Sequence, residues 1–534
     1  ETIAGTTVSK TLYSFLADAD GETIEVREEC LSAEAAFGDS GNLRTTTVRH
    51  PETEELWPAQ PKSIQYPDGR LDRYEYERGD YAENGGEPGV FTPGTGDFVR
   101  ITLNHGTAEH PGGTGKTTRE VTVQDMLRGD VLRETFVYDG MQLVRVDWTT
   151  QTYDELGHPL VARFADGTCR SNAWSDCCGK GAEIGADGSA TYFDYDVLGR
   201  LKRRTVEGVA PADVPQQPNR TTHYQLDAEG RVLQETVVAT NLALVSSNQY
   251  DLAGRLAETV DAAGLVTRYE YSADGRTTTV VRPGGATEIT ENYLDGRVKS
   301  VAGTGVVPRY YDYGVDPDGS QWTMVHTGRP DSPMWEKTTT DMLGRTAREE
   351  KPGFGGVLLT TTYGYNDKGQ LATNRTWAGD STNVPLRPAT LYEYDELGEL
   401  FRTAVDVNSN DVVDLAGPDR VNETQTRIVK KYGERWRESL SKVYPEDGNA
   451  NPVVVATQRQ AMLGVGGGAA AKAQSVDVRG NLTSTVVEVH PTPKTVRTVR
   501  DVPESTVDAV TVVVNGLLQS ETSPSGLTTF FTYD

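Results

Sequence analysis

The side chains best suited to bind a ligand lie in one short acidic segment. Side-chain oxygens recur there at positions 1, 3, 5 and 9 of a loop with the spacing of a calcium-binding hand, and a backbone carbonyl falls at position 7. The five residues are Asp406, Asn408, Asn410, Val412 and Asp414. Because Ca²⁺ takes carboxylate, amide and carbonyl oxygens, calcium is the strongest ligand hypothesis in the chain.

The segment also departs from that pattern. Asp411 stands where the sharp turn needs glycine, and Gly417 stands where a bidentate glutamate closes the site. Asp419 is available as a substitute ligand. A solvated turn rich in Asp and Asn, without metal, is the alternative interpretation.

Three of the four cysteines form a second cluster with chemical potential. A disulfide from Cys169 to Cys177 or Cys178 would staple a loop and would imply an oxidising compartment. Free thiols remain an alternative. A zinc site with His158 or His223 is a further one, although the spacing contains no paired cysteine knuckle.

A glycine-rich stretch ending in Lys116 and Thr117 resembles a phosphate-binding loop in composition. However, His110 stands where the first glycine is required, and the residues from Thr118 onward alternate as a strand where a helix should begin. A glycine-rich hairpin loop is therefore the preferred interpretation.

Residues for catalysis are scarce. The sequence contains neither a Gly-x-Ser-x-Gly nor a His-Glu-x-x-His pattern. His105 and His110, close to Glu109, are interpreted as solvated loop residues. We therefore expect no enzymatic activity, and no cofactor other than calcium is indicated.

A motif that recurs along most of the chain must position these residues. The motif Tyr250-Asp251-Leu252-Ala253-Gly254-Arg255 returns many times, and its glycines are spaced by 21 to 31 residues. Such a period is typical of repeat architectures. The aligned glycines are Gly199, Gly230, Gly254, Gly275, Gly296, Gly319, Gly344, Gly369 and Gly398.

The motif has the chemistry of a hairpin turn. Its aspartate accepts backbone hydrogen bonds, and the glycine three residues later adopts the positive φ that other residues resist. We expect a bulge at that glycine. The structural turn residues predicted in this way are Asp196, Gly199, Asp251, Gly254, Asp395 and Gly398.

Runs of Thr, Val and Tyr with period two flank each turn and predict half-buried strands. One hairpin cannot bury its apolar face alone, so neighbouring hairpins must form a long twisted sheet. The motif tyrosines should then stack as a ladder on one face, with glycan binding as the alternative role. They are Tyr195, Tyr250, Tyr271, Tyr293, Tyr365 and Tyr394.

These motif copies resemble the YD-repeat (Rhs-type) family, most strongly over residues 138–405. That family includes bacterial Rhs polymorphic toxins, shell components of insecticidal Tc toxins and the extracellular part of teneurins. The resemblance implies an all-β fold of stacked hairpins, in which a continuous spiral sheet encloses a hollow interior.

Four regions are expected along the chain. Residues 1–137 form an irregular β region continuous with the shell, and residues 138–405 form the core of the YD-repeat spiral. Residues 406–475 form an inserted loop region with the calcium loop. Residues 476–534 form further repeat strands, with the chain ending inside a repeat.

The net charge of the chain argues against some classes of binding partner. The net charge of −26 would repel phosphate backbones, so nucleic acid is not an expected partner. Mean hydropathy is −0.52, and no apolar run is long enough to span a membrane. A low apolar content fits a thin wall with two wet faces.

The sequence and the resemblance together predict a structural shell segment, secreted or at the cell surface, that encloses a toxin or other polypeptide cargo. An extracellular adhesion protein, or a filament of self-associating copies, is the alternative. A carbohydrate-binding or carbohydrate-active protein is a weaker one.

Overall fold

The structure is a computed structural model that describes residues 1–3, 5–110, 117–139, 142–175, 179–209, 217–379, 385–431, 433–445, 447–462, 469–492 and 494–532. In these ranges it contains strands, turns and one short 3-10 turn at Phe354–Gly356, but no α-helix. The described residues contain no helix that could span a membrane.

The strands of the first third of the chain are β1 Thr2–Ile3, β2 Thr6–Thr7, β3 Thr11–Ala17, β4 Thr23–Glu29, β5 Leu43–Arg49, β6 Pro61–Gln65, β7 Arg70–Asn84, β8 Glu87–Pro93, β9 Phe98–Thr107, β10 Thr118–Asp125, β11 Gly129–Asp139, β12 Gln142–Tyr153, β13 Pro159–Phe164 and β14 Cys169–Ser175.

The middle of the chain contains β15 Gly179–Ile184, β16 Ala190–Tyr195, β17 Leu201–Val206, β18 Arg220–Leu226, β19 Val232–Ala239, β20 Leu242–Tyr250, β21 Leu256–Val260, β22 Val266–Tyr271, β23 Thr277–Val281, β24 Thr287–Asn292, β25 Val298–Ala302, β26 Arg309–Val315, β27 Gln321–Thr327 and β28 Trp335–Thr340.

The last third contains β29 Thr346–Pro352, β30 Leu358–Tyr365, β31 Leu371–Ala378, β32 Ala389–Tyr394, β33 Leu400–Asp406, β34 Arg420–Lys431, β35 Glu434–Tyr444, β36 Val453–Met462, β37 Ala469–Val476, β38 Leu482–His490, β39 Thr495–Asp501, β40 Ala509–Val514, β41 Leu517–Thr522 and β42 Thr528–Phe530.

Nearly all strands belong to one antiparallel sheet. From β3 to β7, and from β9 to β42, each strand pairs with the next, and β7 pairs with β9 across the β8 hairpin. β1 and β2 form a separate pair. Among the described strands β3 and β42 do not pair with each other, so the sheet is open. The predicted all-β fold of stacked hairpins in a continuous sheet is confirmed.

The connections between strands lie along two borders of the sheet, one at each end of the strands. Because neighbouring strands are antiparallel, every second connection lies at the same edge. All the YD turns from 154–157 to 395–398 follow an even-numbered strand, so they share one edge, which we call the turn rim. The opposite edge is the return rim. The β7–β9 pairing places the early turn at Asp68 and Gly69 on the return rim.

The sheet winds back onto itself after about 300 residues. The Nζ atom of Lys494 lies 2.7 Å from Oε2 of Glu207. Asn515 Nδ2 donates to the Glu207 carbonyl at 2.7 Å. Gln217 Nε2 donates to the Val514 carbonyl at 3.0 Å. These pairs are 287 to 308 residues apart. They join the return rim of the first winding to the turn rim of the second, along a line that we call the seam.

The seam continues along earlier strands. A Cβ on Gly319 would lie 2.3 Å from the Thr7 carbonyl oxygen, and one on Gly369 would lie 2.6 Å from Leu43 Cδ1. These close approaches again join the turn rim of the second winding to the return rim of the first. The predicted spiral course of the sheet therefore has direct contacts between its windings.

The sheet is a single layer over most of its course. The chain exposes 30006 Å² of surface, whereas a compact monomer of 58.2 kDa would expose about 19,000 Å². Buried hydrophobic residues are few and form small clusters, such as the one around Val123, Val131 and Leu132. The sheet thus has two wetted faces and little shared core.

Two segments differ from the sequence-based expectation. Residues 406–475 were expected to be an inserted loop region, but strands β34 to β37 continue the sheet there, and 407–419 form a long loop between β33 and β34. The Gly, Pro and Glu residues of segment 79–96 predict a surface loop, but the segment forms the β7–β8 hairpin. In both segments, alternating side chains pair as strands despite the many Gly, Pro and Asp residues nearby.

Candidate functional site

The YD turn is the element that the chain repeats most often, and Asp251 shows how it is built. Its Oδ1 accepts the N–H groups of Ala253 and Arg255, both at 2.9 Å. Its Oδ2 accepts Nε of Arg255 at 2.8 Å. The N–H of Arg255 is the main reason that the pKa of Asp251 lies below its ordinary value. The carboxylate therefore closes the turn and is neutralised within it.

Glycine completes the turn. Gly254 has φ of 80°, in the left-handed region, and its N–H donates to the Asp251 carbonyl at 2.9 Å. The Asp251 N–H donates to the Arg255 carbonyl at 2.8 Å, so Gly254 and Arg255 together oppose Asp251 as a bulge. Equivalent turns occur at Asp196 and Gly199 (φ 74°) and at Asp395 and Gly398 (φ 75°).

The arginine of one turn contacts the tyrosine of the next. Guanidinium carbons lie 4.0 to 4.8 Å from the ring centroids in four successive-unit pairs. The pairs are Arg231 with Tyr250, Arg255 with Tyr271, Arg297 with Tyr313, and Arg345 with Tyr365. Since each arginine is also bound by an aspartate of its own turn, the motif couples neighbouring turns through cation–π contacts.

The tyrosine hydroxyl adds a second link between units. Tyr250 donates to the Val232 carbonyl at 3.1 Å, and Tyr271 donates to the Leu256 carbonyl at 2.8 Å. Val232 and Leu256 each follow the arginine of the preceding turn. The predicted ladder of stacked tyrosines is therefore replaced by alternating arginines and tyrosines. Sequence reasoning missed this role for arginine, although its fixed place after the turn glycine was visible.

A cavity of about 830 Å³ opens along the seam. Asp68, Asp72 and His105 line it from the return rim of the first winding, and the turn at 395–399 lines it from the second winding. Strands β34 and β35 add residues such as Glu423. The cavity therefore exists only because the two windings meet.

His105 is a titratable group of this cavity that is paired with a carboxylate. Its Nδ1 lies 2.7 Å from Oδ1 of Asp72, which also accepts the Tyr66 hydroxyl at Oδ2. The bond to Asp72 raises the pKa of His105. Sequence reasoning placed His105 in a solvated loop, but it lies half-buried on β9 and ties that strand to β7.

Two glutamates of the second winding, Glu423 and Glu438, are bound by cationic side chains close to the cavity. Burial alone would raise the pKa of Glu423, but Arg402, Lys442 and Tyr444 lower it to about 2.

Glu438 is almost completely buried, and three cations surround its carboxylate. The nearest atoms of Arg427, Arg459 and Lys431 lie 2.6, 2.5 and 3.4 Å away. Burial opposes ionisation, yet the bonds from Arg427 and Arg459 lower the pKa of Glu438 to about 2. This cluster joins β34, β35 and β36 by charge.

The acidic loop at 406–414 closes through internal hydrogen bonds. Asp406 is buried and accepts the N–H groups of Asn410 and Asp411. The side-chain amides of Asn408 and Asn410 both donate to Oδ2 of Asp414 at 2.7 Å.

Asp419, the suggested substitute ligand, instead accepts the N–H groups of Val407 and Asp414. Throughout the described residues, no group of three or more His, Cys, Asp or Glu side chains is arranged to hold a metal. The loop geometry resembles the metal-free turn, and calcium binding through Asp406, Asn408, Asn410, Val412 and Asp414 stays a prediction.

The other predicted sites fall partly outside the described residues. Cys169 is exposed at the start of β14, whereas Cys177 and Cys178 lie outside the described ranges, so the disulfide stays a prediction. The glycine-rich stretch at 111–116 also lies outside them. Thr118, just after it, begins strand β10.

Comparison with known proteins supports the identification of the repeat. The family model described as RHS Repeat matches residues 250–287, which confirms the recognition of YD/Rhs repeats in this chain. No curated protein matches the chain.

Solved Tc toxin structures are also similar to the chain. The crystal structure of TcdB2-TccC3 is 11% identical with a TM-score of 0.27, and the match covers 97% of this chain and 34% of that one. A mutant Photorhabdus luminescens Tc holotoxin pore is 12% identical with a TM-score of 0.26, covering 97% and 33%. The chain therefore spans about a third of the length of these structures.

Proposed function

We propose that this Rhs-repeat chain is a structural wall segment of a hollow shell, that it acts without catalysis, and that the shell encloses a polypeptide cargo outside the cell. The observation that carries the proposal is the single-layer sheet that winds back onto itself along a seam. A sheet with two wetted faces does not bury a hydrophobic core. It can, however, form a boundary between an interior space and the outside.

The contacts between neighbouring turns support the role of a shell wall. In four of the turns an Asp–Arg pair holds the turn closed, and the same arginine contacts a tyrosine of the next unit. Because the same contacts recur from unit to unit, bending at one hairpin is resisted by both neighbours. A wall built in this way keeps its curvature without a packed core.

Electron microscopy of the particle from its native source, followed by protease digestion, tests the proposal. We expect closed hollow particles in which the cargo survives protease. Lys494→Glu should open the seam, because it replaces an attraction to Glu207 with a repulsion, and should expose the cargo to protease.

Lys299→Glu is the matched control, because it breaks an exposed ion pair with Glu291 on a strand face away from the seam. Cargo that is digested equally in the native particle and in the Lys494→Glu particle would contradict enclosure. Circular dichroism separates an opened seam from an unfolded sheet.

An adhesion or filament function is a second candidate, which the free edge of β3 favours. β3 pairs only with β4 among the described strands, and Tyr13, Phe15 and Leu16 on it are exposed. Exposed, uncharged edge strands readily add a strand from another chain. Continuous fibres in the micrographs, without hollow particles, would favour this function.

We do not propose glycan recognition through the motif tyrosines. The rings of Tyr250, Tyr271 and Tyr365 lie under arginines, and their hydroxyl groups donate to backbone carbonyls. Both features make them packing residues.

A further inference from the structure

The turn rim of the first winding presents bare apolar side chains. The residue that follows the first turn position, where aspartate usually stands, is Val197, Leu252 or Leu294 in three of these turns, and each is 92–110% exposed. At the same motif position in the second winding, Met342 is only 5% exposed. The large apolar residue at this place in the second winding is therefore covered, whereas Pro317, Asp367 and Glu396 at the same place in other turns of that winding are exposed.

The seam explains the burial of Met342. Gly319 lies between Met342 and the Thr7 carbonyl: a Cβ built there would meet Met342 Sδ at 2.9 Å and Thr7 O at 2.3 Å. Val8, the next residue, is buried as well. Met342 is therefore covered at the place where the return rim of another winding reaches the turn rim.

From this contrast we infer that the bare turn rim docks the return rim of a second copy of this chain. The turn rim of the first winding continues into the turn rim of the second winding, which forms the seam. A return rim is therefore the surface that we expect to dock on it. The return rim of the second winding also exposes apolar side chains, namely Phe354 and Leu527. One molecule therefore offers both halves of the contact.

The charges of the bare rim permit this docking. Asp196 and Asp251 are each paired with the arginine of their own turn, at 2.6 and 2.7 Å. Covering these turns would not bury an unpaired carboxylate, which is the costly case. The exposed apolar side chains of these turns contribute a favourable free energy of association, because they leave water when the second copy docks.

The contact joins different surfaces of the two copies. A contact of this kind does not close on itself unless the rotation between copies forms a ring, so copies stack further along the spiral axis. The net charge of −26 opposes stacking through long-range repulsion. Added salt screens this repulsion, and association should therefore become stronger, not weaker, as salt rises.

Sedimentation velocity of the 534-residue chain over a concentration series tests the inference. We expect the weight-average mass at least to double from its 58.2 kDa monomer value, and to rise further with salt. The triple variant Val197→Lys, Leu252→Lys, Leu294→Lys should remain a monomer. The matched control is Tyr192→Lys with Ile289→Lys, on exposed strand faces, and it should associate like the native chain.

Two results would overturn the inference. One is a native chain that stays monomeric at every concentration and salt. The other is a triple variant that associates as strongly as the native chain, which would assign association to another surface such as the β3 edge. Neither result bears on cargo enclosure, because the protease experiment measures the seam within one molecule.

Discussion

Replacing the turn glycine by alanine tests the physical basis of the repeat. Gly254 and Gly275 have φ of 80° and 72° in equivalent turns. An L-residue in this region costs roughly 1–2 kcal/mol. A Cβ on Gly275 meets nothing within 4 Å, so Gly275→Ala should destabilise by about that amount alone.

Gly254→Ala should cost more than Gly275→Ala. Its Cβ would lie 2.6 Å from Nη1 of Arg231, which is held by Asp227 at 2.7 Å and lies over Tyr250 at 4.8 Å. To clear the new methyl group, the guanidinium must shift, which disturbs the contact of its Nη1 with Glu229 at 3.1 Å and its position over Tyr250. Gly254→Ala therefore has two costs. One is the positive φ, which it shares with Gly275→Ala, and the other is the disturbed contact between units.

Denaturant unfolding followed by circular dichroism measures the global effect. Hydrogen exchange in β20 and β21 measures the local one, since repeat sheets open in segments. Equal destabilisation by the two substitutions would refute the role of Arg231 in coupling the turns. No destabilisation by either one would refute the turn assignment.

Three further predictions concern charge and metal. A double-mutant cycle of Arg255→Met and Tyr271→Leu should give a coupling of about 0.5–1 kcal/mol, and a coupling near zero would remove the cation–π link. The pKa of Glu438, lowered from 4.5 to about 2, should contribute about 3 kcal/mol above pH 4.5 that is lost as pH falls toward 2. Glu438→Gln should flatten acid unfolding in that range, whereas the exposed control Glu155→Gln should not. If the acidic loop binds Ca²⁺, EDTA should lower the melting temperature and Asp406→Ala should abolish that response; a melting temperature indifferent to EDTA would exclude the metal.

The sequence was sufficient to predict the repeated turn and the all-β class. Every interaction that builds the turn at Asp251 joins residues no more than four positions apart, so the motif itself contains the needed information. The same holds for strand pairing between neighbouring hairpins, because antiparallel partners follow one another in the chain. Local chemistry of this kind is readable from residue types and spacing.

The motif tyrosines show which contacts the spacing of residues in the sequence can predict and which it cannot. Period-two spacing correctly placed Tyr250 and Tyr271 on half-buried strands. It could not show that an arginine from the previous turn would lie over each ring, because that contact depends on the twist and spacing of adjacent hairpins.

The seam was decided by tertiary structure alone. Its contacts, such as Lys494 with Glu207, join residues 287 apart, and nothing in the local sequence of either partner specifies the other. Which residues meet depends on the accumulated twist and curvature of some twenty strands, and a small change per strand would shift every contact. The pairing of His105 with Asp72 and the cavity around it arose in the same way, since strand order and winding brought together residues that are distant in the chain.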